Sequence, residues 1–153
     1  MSTAFMPSLA DGSIQIHGSA LKLGAGVSRV AAVAALGRHY SGNRELKDGG
    51  EWVYLQGLSF DGADSGMSLY FEHGALLEVN WSVILPDAEL DGGWPSQEAI
   101  DQEIAFVRAA LGKLKKRGSF SGRERYAWGE VWCEFDAQAF SASSGLRYRT
   151  RPS

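Results

Sequence analysis

The sequence predicts an α+β protein built from two similar units, each a helix followed by antiparallel strands, with the helices packed on one face of a sheet. Three observations support this prediction. Two segments have the apolar spacing of amphipathic helices, several others alternate polar and apolar residues, and short motifs recur in the same order. Because 153 residues is the usual size of one domain, we expect residues 1–153 to form a single domain.

Composition excludes several classes of protein. Hydrophobic residues make up 44% and charged residues 22% of the chain, which are ordinary values for a globular protein. No apolar run reaches the roughly 18 residues that span a bilayer, and residues 1–7 lack the basic and apolar regions of a secretion signal. Cys133 is the only cysteine, which excludes an internal disulfide. We therefore expect a cytoplasmic protein that does not bind membranes.

The first unit, predicted over residues 13–85, begins with a short strand and a helix. Residues 1–12 are expected to form a loose tail, and polar and apolar residues alternate over 13–17 as in a strand. Ser28 is a suitable N-cap for the helix, and Gly37 is expected to end it. The narrow apolar face of this helix consists of Val30, Val33, Ala34 and Leu36.

A hairpin follows a strand expected over residues 51–60. If residues 72–74 are a three-residue loop with Gly74 in the left-handed conformation, every pair on one face is apolar. The predicted pairs are Phe71–Ala75, Leu69–Leu77 and Met67–Val79. A two-residue loop would pair Leu69 with Glu78, so the apolar pattern favours the longer loop.

The second unit, predicted over residues 95–150, begins with a longer helix capped by Ser96. Its buried face is expected to contain residues at helical spacing, namely Ile100, Ile104, Val107 and Leu111. The helix ends at Gly112 or continues to Arg117. Strands are expected over 126–135 and 145–150.

Short motifs link the two units. Ala-Ala-Leu-Gly at 34–37 recurs at 109–112, and Phe-Asp at 60–61 recurs at 135–136, both 75 residues later. This recurrence, with helix and strands in the same order, predicts a duplicated α/β unit.

The first unit also resembles a known module. Gly26, Val27 and Ser28 lead into an apolar helix that ends with Leu36 and Gly37, and paired strands follow. This pattern resembles the tandem α/β module of the beta-lactamase inhibitory protein family and a related module of outer-membrane-assembly lipoproteins, although the disulfide pair and export signal are missing. The resemblance implies a binding module without a catalytic site. Cytoplasmic bacterial immunity proteins, which inhibit toxins delivered by neighbouring cells, are similar in size and general character.

Charge is distributed unevenly along the chain. Residues 1–107 contain five Lys/Arg and fourteen Asp/Glu, whereas residues 108–153 contain ten and four. Such asymmetry attracts a charged partner, joins copies of the chain head to tail, or lets the two segments pair within one fold. The acidic total argues against a nucleic-acid partner.

The connection between the two units carries the candidate partner-binding residues Asp87, Glu89, Asp91 and Trp94. An exposed tryptophan among charges is typical of an interface anchor. Alternatively, Trp94 packs against the following helix as a hydrophobic staple. If the surface is exposed, a basic partner such as a nuclease toxin would complement its carboxylates.

No residue pattern meets the requirements of a catalytic, metal or cofactor site, and we expect none of the three. The segment 61–72 has the length of a calcium loop but Ala63 at a ligand position, so a hairpin is expected there. Glu130 and Glu134 share a strand face, yet they could act as acid and base only in a cleft.

We therefore hypothesise a non-enzymatic protein-binding module, an immunity-type inhibitor that occludes a toxin or another enzyme. The alternative is a small-ligand-binding protein or small enzyme with an aromatic-lined pocket between helices and sheet, an idea favoured by five tryptophans. A homo-oligomer held by the opposite charges of the two segments is a third hypothesis.

Overall fold

The computed structural model describes residues 2–86, 90–91, 94–112, 114–115, 118 and 120–150. Within these ranges helix α1 spans Arg29–Leu36 and helix α2 spans Gln97–Leu111. The strands are β1 (Thr3–Pro7), β2 (Ile14–Ile16), β3 (Lys22–Leu23), β4 (Tyr40–Glu45), β5 (Gly50–Phe60), β6 (Ala63–Glu72), β7 (Ala75–Ile84), β8 (Leu90–Asp91), β9 (Trp94–Pro95), β10 (Gly122–Tyr126), β11 (Gly129–Asp136) and β12 (Ser141–Tyr148).

Ten of these strands form one mixed sheet in the order β10-β11-β12-β7-β6-β5-β1-β2-β3, with β4 also paired to β5. Neighbours are antiparallel except β1 and β5, which run parallel. Strands β8 and β9 form a separate two-stranded ribbon. The fold is therefore compatible with the predicted α+β class, but the sheet dominates it and the helices are a smaller part than expected.

The core lies on one side of the large sheet, between the sheet and both helices. Alternate residues of the central strands point into it, including Leu69 of β6 and Val79 of β7, each at most 1% exposed. Helix α2 packs across β7, β11 and β12, and Ile104 and Val107 are buried there. Since burying one such side chain contributes about 1.5–3 kcal/mol, this contact holds the second helix on the sheet.

Both helices begin at the predicted caps. The Ser28 hydroxyl accepts a hydrogen bond from the Ala31 amide at 3.1 Å, and the Ser96 hydroxyl accepts one from the Ala99 amide at 3.1 Å. Helix α2 ends at Leu111, so the shorter of the two predicted lengths is confirmed.

The buried face of α2 is confirmed, whereas that of α1 is partly wrong. Leu36 is buried as predicted, but Val30 is 74% exposed and Ala32 takes its place in the core. Only Ala32 and Leu36 of α1 are buried, and the predicted Ala34 is exposed. Since α1 contains four alanines, hydrophobicity alone does not show which of them faces the core.

The β6–β7 hairpin exists, but its predicted register is wrong. His73 and Gly74 form a two-residue turn, with φ angles of 50° and 81°, and Glu72 pairs with Ala75. A β-bulge then shifts the register, so that Leu69 pairs with Val79. The apolar face is thereby restored by an extra residue in β7 rather than by a longer loop.

Residues 3–7 are a strand and not the predicted loose tail. Strand β1 lies between β5 and β2, and Phe5 is only 3% exposed. The Phe5 ring lies 5.6 Å from the Phe60 ring and 6.1 Å from the Trp81 ring, measured between centroids. Since these partners are distant in sequence, local pattern could not predict the strand.

The order of helix then antiparallel strands occurs twice, as α1 followed by β4–β7 and α2 followed by β10–β12. The two sets merge into one sheet because β12 pairs with β7. They differ in the number of strands. The duplication, the unit bounds 13–85 and 95–150 and the single-domain organisation remain predictions.

Candidate functional site

The connection that carries the predicted partner-binding residues contains the β8–β9 ribbon. Asp91 and Trp94 are directly opposite each other in this ribbon. Asp87 and Glu89 lie outside the described residues, and for Asp91 the backbone alone is described. The structure therefore brings together two of the four predicted residues, by backbone pairing.

Trp94 is 75% exposed, which is the largest value among the exposed large hydrophobic side chains of the described residues. It does not pack as a hydrophobic staple. Pro95 follows it directly and Ser96 caps α2, so the ribbon is anchored at the start of the helix. A buried indole removes roughly 150–250 Å² from water, and each Å² contributes about 25 cal/mol. A partner that buried the exposed part of the Trp94 ring would therefore gain on the order of 3 kcal/mol of binding free energy.

A second surface is the face of the large sheet opposite the core, which we call the open face. Along each strand, the side chains of the open face alternate with those that point into the core. Residues of both helices belong to the core, on the opposite side of the sheet. One row crosses six strands in register and comprises Arg123, Trp132, Gly145, Asn80, Ser68 and Tyr54. Aromatic, charged and small polar groups are thus mixed across this face.

At one end of that row a single arginine holds two carboxylates. Arg123 binds Glu130 at 2.8 Å and Glu134 at 2.7 Å, and its guanidinium carbon lies 5.1 Å from the centroid of the Trp132 ring. Burial would lower the pKa of Arg123, but the hydrogen bonds to Glu134 and Glu130 outweigh it and raise that pKa. Glu130 and Glu134 do share a face, and their charges stabilise Arg123 there.

Trp132 lies across Gly145, and only a residue without a side chain allows this packing. A Cβ atom at Gly145 would overlap Asn80 Oδ1, lie 2.6 Å from the Val79 carbonyl oxygen and lie 3.0 Å from the Trp132 ring. The Trp132 indole also donates a hydrogen bond to the Ser143 hydroxyl at 3.1 Å. Trp132 is therefore held in place on the open face and is only 8% exposed.

A depression of about 420 Å³ lies in the middle of the open face, with Ser68, Asn80 and Ser143 in its lining. Neither helix contributes to its lining, or to the lining of three further depressions formed by described residues. None of the four corresponds to the aromatic-lined pocket between helices and sheet that the small-ligand hypothesis requires, and that hypothesis stays a prediction.

Titratable and metal-ligating groups elsewhere do not converge. Among the residues that the structure describes, no three His, Cys, Asp or Glu side chains are grouped as metal ligands would be. His39 is buried, with Nδ1 2.9 Å from the Gln56 carbonyl oxygen, and His17 and His73 are exposed. Cys133 is fully buried, and burial raises the pKa of its thiol.

The calcium-loop-like segment is a hairpin, as predicted. Asp61 and Gly62 form its two-residue turn, with φ angles of 48° and 85°, and Phe60 pairs with Ala63. Neither helix of the described chain combines the length and apolar character needed to cross a membrane.

Of the four ion pairs among the described residues, one joins the acidic and basic segments of the sequence. Arg147 Nη1 lies 2.9 Å from Glu78 Oε1 across β12 and β7. The other three lie within one segment or the other. Ion pairs between the acidic and basic segments therefore neutralise only a small part of the opposite charges that the two segments carry.

Comparison with known proteins identifies a fold. No family model matches the sequence, and no curated protein matches it significantly. Among solved structures, one chain of Rhs1-CT in complex with cognate immunity protein RhsI1 is similar to this protein, with a TM-score of 0.51 and 14% sequence identity. The match covers 96% of this chain and 87% of that one. At this identity the likeness shows a shared fold alone.

Proposed function

We propose that this protein is a non-enzymatic binding module of the bacterial immunity type, which acts in the cytoplasm by covering the functional surface of a toxin or another enzyme. The observation that carries the proposal is the exposure of Trp94 on a ribbon anchored to α2. The fold that this protein shares with one chain of a toxin–immunity complex supports the proposal, as a similarity of fold alone.

The ribbon has the chemistry of an interface anchor. Tryptophan is enriched among the residues that dominate binding energy, because it buries a large area at little cost in side-chain entropy. Three carboxylates, Asp87, Glu89 and Asp91, lie within seven residues of Trp94 in the sequence. A basic partner would be attracted to them at long range, and the indole would then be buried in the contact.

Affinity capture with the tagged protein, from its own organism, tests the proposal. We expect a stoichiometric basic protein that is retained in low salt and released in high salt, because salt at about 1 M shortens the screening length to about 3 Å. The purified partner should lose its toxic or enzymatic activity in the presence of this protein. A partner whose activity is unaffected would contradict the inhibitor function.

Trp94→Ala then tests the surface, with Val30→Ala as the matched control because Val30 is 74% exposed on a different element. We expect Trp94→Ala to weaken binding by about 2 kcal/mol or more, which is roughly thirtyfold in Kd. Val30→Ala should leave the Kd unchanged in the same titration calorimetry. Equal affinities for wild type and Trp94→Ala would remove the ribbon from the interface.

A further inference from the structure

The basic segment of the chain forms a groove that the proposed contact through the ribbon does not use. A depression of about 450 Å³ lies at one end of β10, β11 and β12. Three arginines, Arg125, Arg147 and Arg149, line it together with one carboxylate, that of Glu130. We call this depression the arginine groove.

Two of the three guanidinium groups have no carboxylate partner within the described residues. Arg147 binds Glu78, and Glu130 is held by Arg123 from outside the groove. Arg125 and Arg149 are exposed and form no ion pair with any residue that the structure describes. Each therefore presents several N–H donors to a ligand that enters the groove.

The backbone that borders the groove is held by aromatic residues packed against the core. The Tyr126 and Trp128 rings are stacked, with centroids 5.4 Å apart and an interplanar angle of 4°. The Trp128 indole donates to the Leu9 carbonyl oxygen at 2.9 Å, and the Trp128 carbonyl oxygen accepts from the Arg149 amide at 2.7 Å. The second of these bonds ties the backbone of Arg149, which lines the groove, to that of Trp128.

Gly129 brings β11 and β12 close together at the same place. Its φ angle is 154°, and a Cβ atom there would overlap the Arg147 carbonyl oxygen. Since glycine alone fits, the backbones of β11 and β12 are in close contact beside Arg147. A preorganised site loses less entropy on binding than a flexible one.

We propose that the arginine groove binds an acidic segment of the protein partner, whose carboxylates pair with Arg125 and Arg149. Guanidinium and carboxylate groups match in bidentate geometry. The inference deepens the proposed function and rests on it. The partner presents a basic surface to the ribbon and carboxylates to the groove, so both charged segments of this chain are used.

A short acidic segment fits the charges better than a nucleic acid. The carboxylates of Glu78, Glu130 and Glu134 lie along the open face beside the arginines and would repel a long polyanion. The chain as a whole has a net charge of −3, which adds to that repulsion. A peptide with a few carboxylates can bind through ion pairs with Arg125 and Arg149 alone.

The first test needs no partner and uses a fluorescein-labelled peptide of alternating glutamate and glycine, measured by fluorescence anisotropy in low salt. We expect the doubly reversed variant Arg125→Glu/Arg149→Glu to bind this peptide at least about tenfold more weakly than wild type. The control is Arg38→Glu/Arg44→Glu, which makes the same change in net charge at exposed positions outside the groove. It should weaken binding by a clearly smaller factor, since it alters only the long-range attraction, which both variants lose equally.

Several outcomes would overturn the proposal. One is that the wild-type protein does not bind the peptide. Another is that both double variants lose the same amount of affinity, which would show general electrostatic attraction to the protein instead of binding at the groove. Tighter binding of an oligothymidine with the same number of charges would indicate nucleic acid, and full competition by inorganic phosphate would indicate a simple anion site. Thermal melts of all variants show whether each one is folded.

The second test uses the captured partner and separates the two proposals. We expect Arg125→Glu/Arg149→Glu to weaken the complex at least about tenfold and to slow its association. Binding that depends on Trp94 but not on these arginines would contradict the groove and leave the proposed function standing. Arginine-dependent peptide binding by a protein that inhibits no partner would contradict the proposed function and leave the groove standing.

Discussion

Replacing Gly145 by alanine should destabilise the protein, although alanine is normally the better residue in a strand. Gly145 lies in β12, next to β7 in the middle of the sheet. The added methyl group would lie 2.6 Å from the Val79 carbonyl oxygen and 3.0 Å from the Trp132 ring, and it would overlap Asn80 Oδ1. A backbone oxygen inside a sheet cannot move aside without lengthening the hydrogen bonds of that strand.

Overpacking of this kind costs about 1–3 kcal/mol. The reduced freedom of the unfolded chain returns about 0.4–1 kcal/mol, so a net loss of about 1–2 kcal/mol is expected. For a chain of this size each kcal/mol lowers the melting temperature by about 2–4 °C. Displacement of Trp132 would also disturb the cluster around Arg123, which should be visible as a change in tryptophan fluorescence of the folded state.

Gly66→Ala is the matched control on the same open face. A Cβ atom at Gly66 would have its nearest contact at 3.4 Å, with the Ser82 hydroxyl, which is ordinary van der Waals distance. We therefore expect Gly66→Ala to be neutral or stabilising by up to about 1 kcal/mol. Urea unfolding of both variants, followed by fluorescence, gives the free energies. Gly145→Ala as stable as wild type, or Gly66→Ala equally destabilised, would refute the reasoning.

Two further predictions concern titratable groups, the half-buried Glu103 and the fully buried Cys133. Burial raises the pKa of Glu103, which accepts a hydrogen bond from the Val83 amide at 3.2 Å. Because its ionised form is the costly one, Glu103→Gln should raise the melting temperature at pH 7, and the gain should vanish as the pH falls below about 4.3, the ordinary pKa of glutamate. An equal gain in melting temperature at low pH would show that the ionised form of Glu103 is not what destabilises the wild-type protein. Burial likewise raises the pKa of Cys133, so a thiol-reactive disulfide reagent should label the folded protein only as fast as it unfolds and label the urea-unfolded protein at once. Immediate labelling of the folded protein would contradict this.

Elements whose signals lie within a few residues of one another were predictable. Ser28 and Ser96 cap their helices, and the α2 face of Ile100 to Leu111 is buried, because a cap and a helical stripe are properties of neighbouring residues. The two strands of the 63–84 hairpin followed from alternation. Its register did not, since a bulge inserts a residue that no period-two pattern contains.

The candidate surfaces were less predictable. Trp94 was identified from its acidic, glycine-rich surroundings, but the same sequence also allowed it to pack as a hydrophobic staple. Only its exposed position on the ribbon decides between an interface anchor and a staple. The arginine groove was missed. Arg125, Arg147 and Arg149 appear in the sequence as part of a basic segment, and no local pattern indicates that β10 and β12 bring them to one depression.

The sequence by itself determined where both helices begin, which residues of α2 face the core, and that the segment from Ala63 to Ile84 is a hairpin. Only the tertiary structure decided that residues 3–7 join the sheet beside β5, that β12 pairs with β7, and that one arginine holds Glu130 and Glu134. Local structure depends on interactions between residues a few positions apart, which the order of side chains records directly. Pairing between distant strands depends on which of many possible partners buries the most apolar surface and satisfies the most hydrogen bonds, and that competition is resolved only when the whole chain folds.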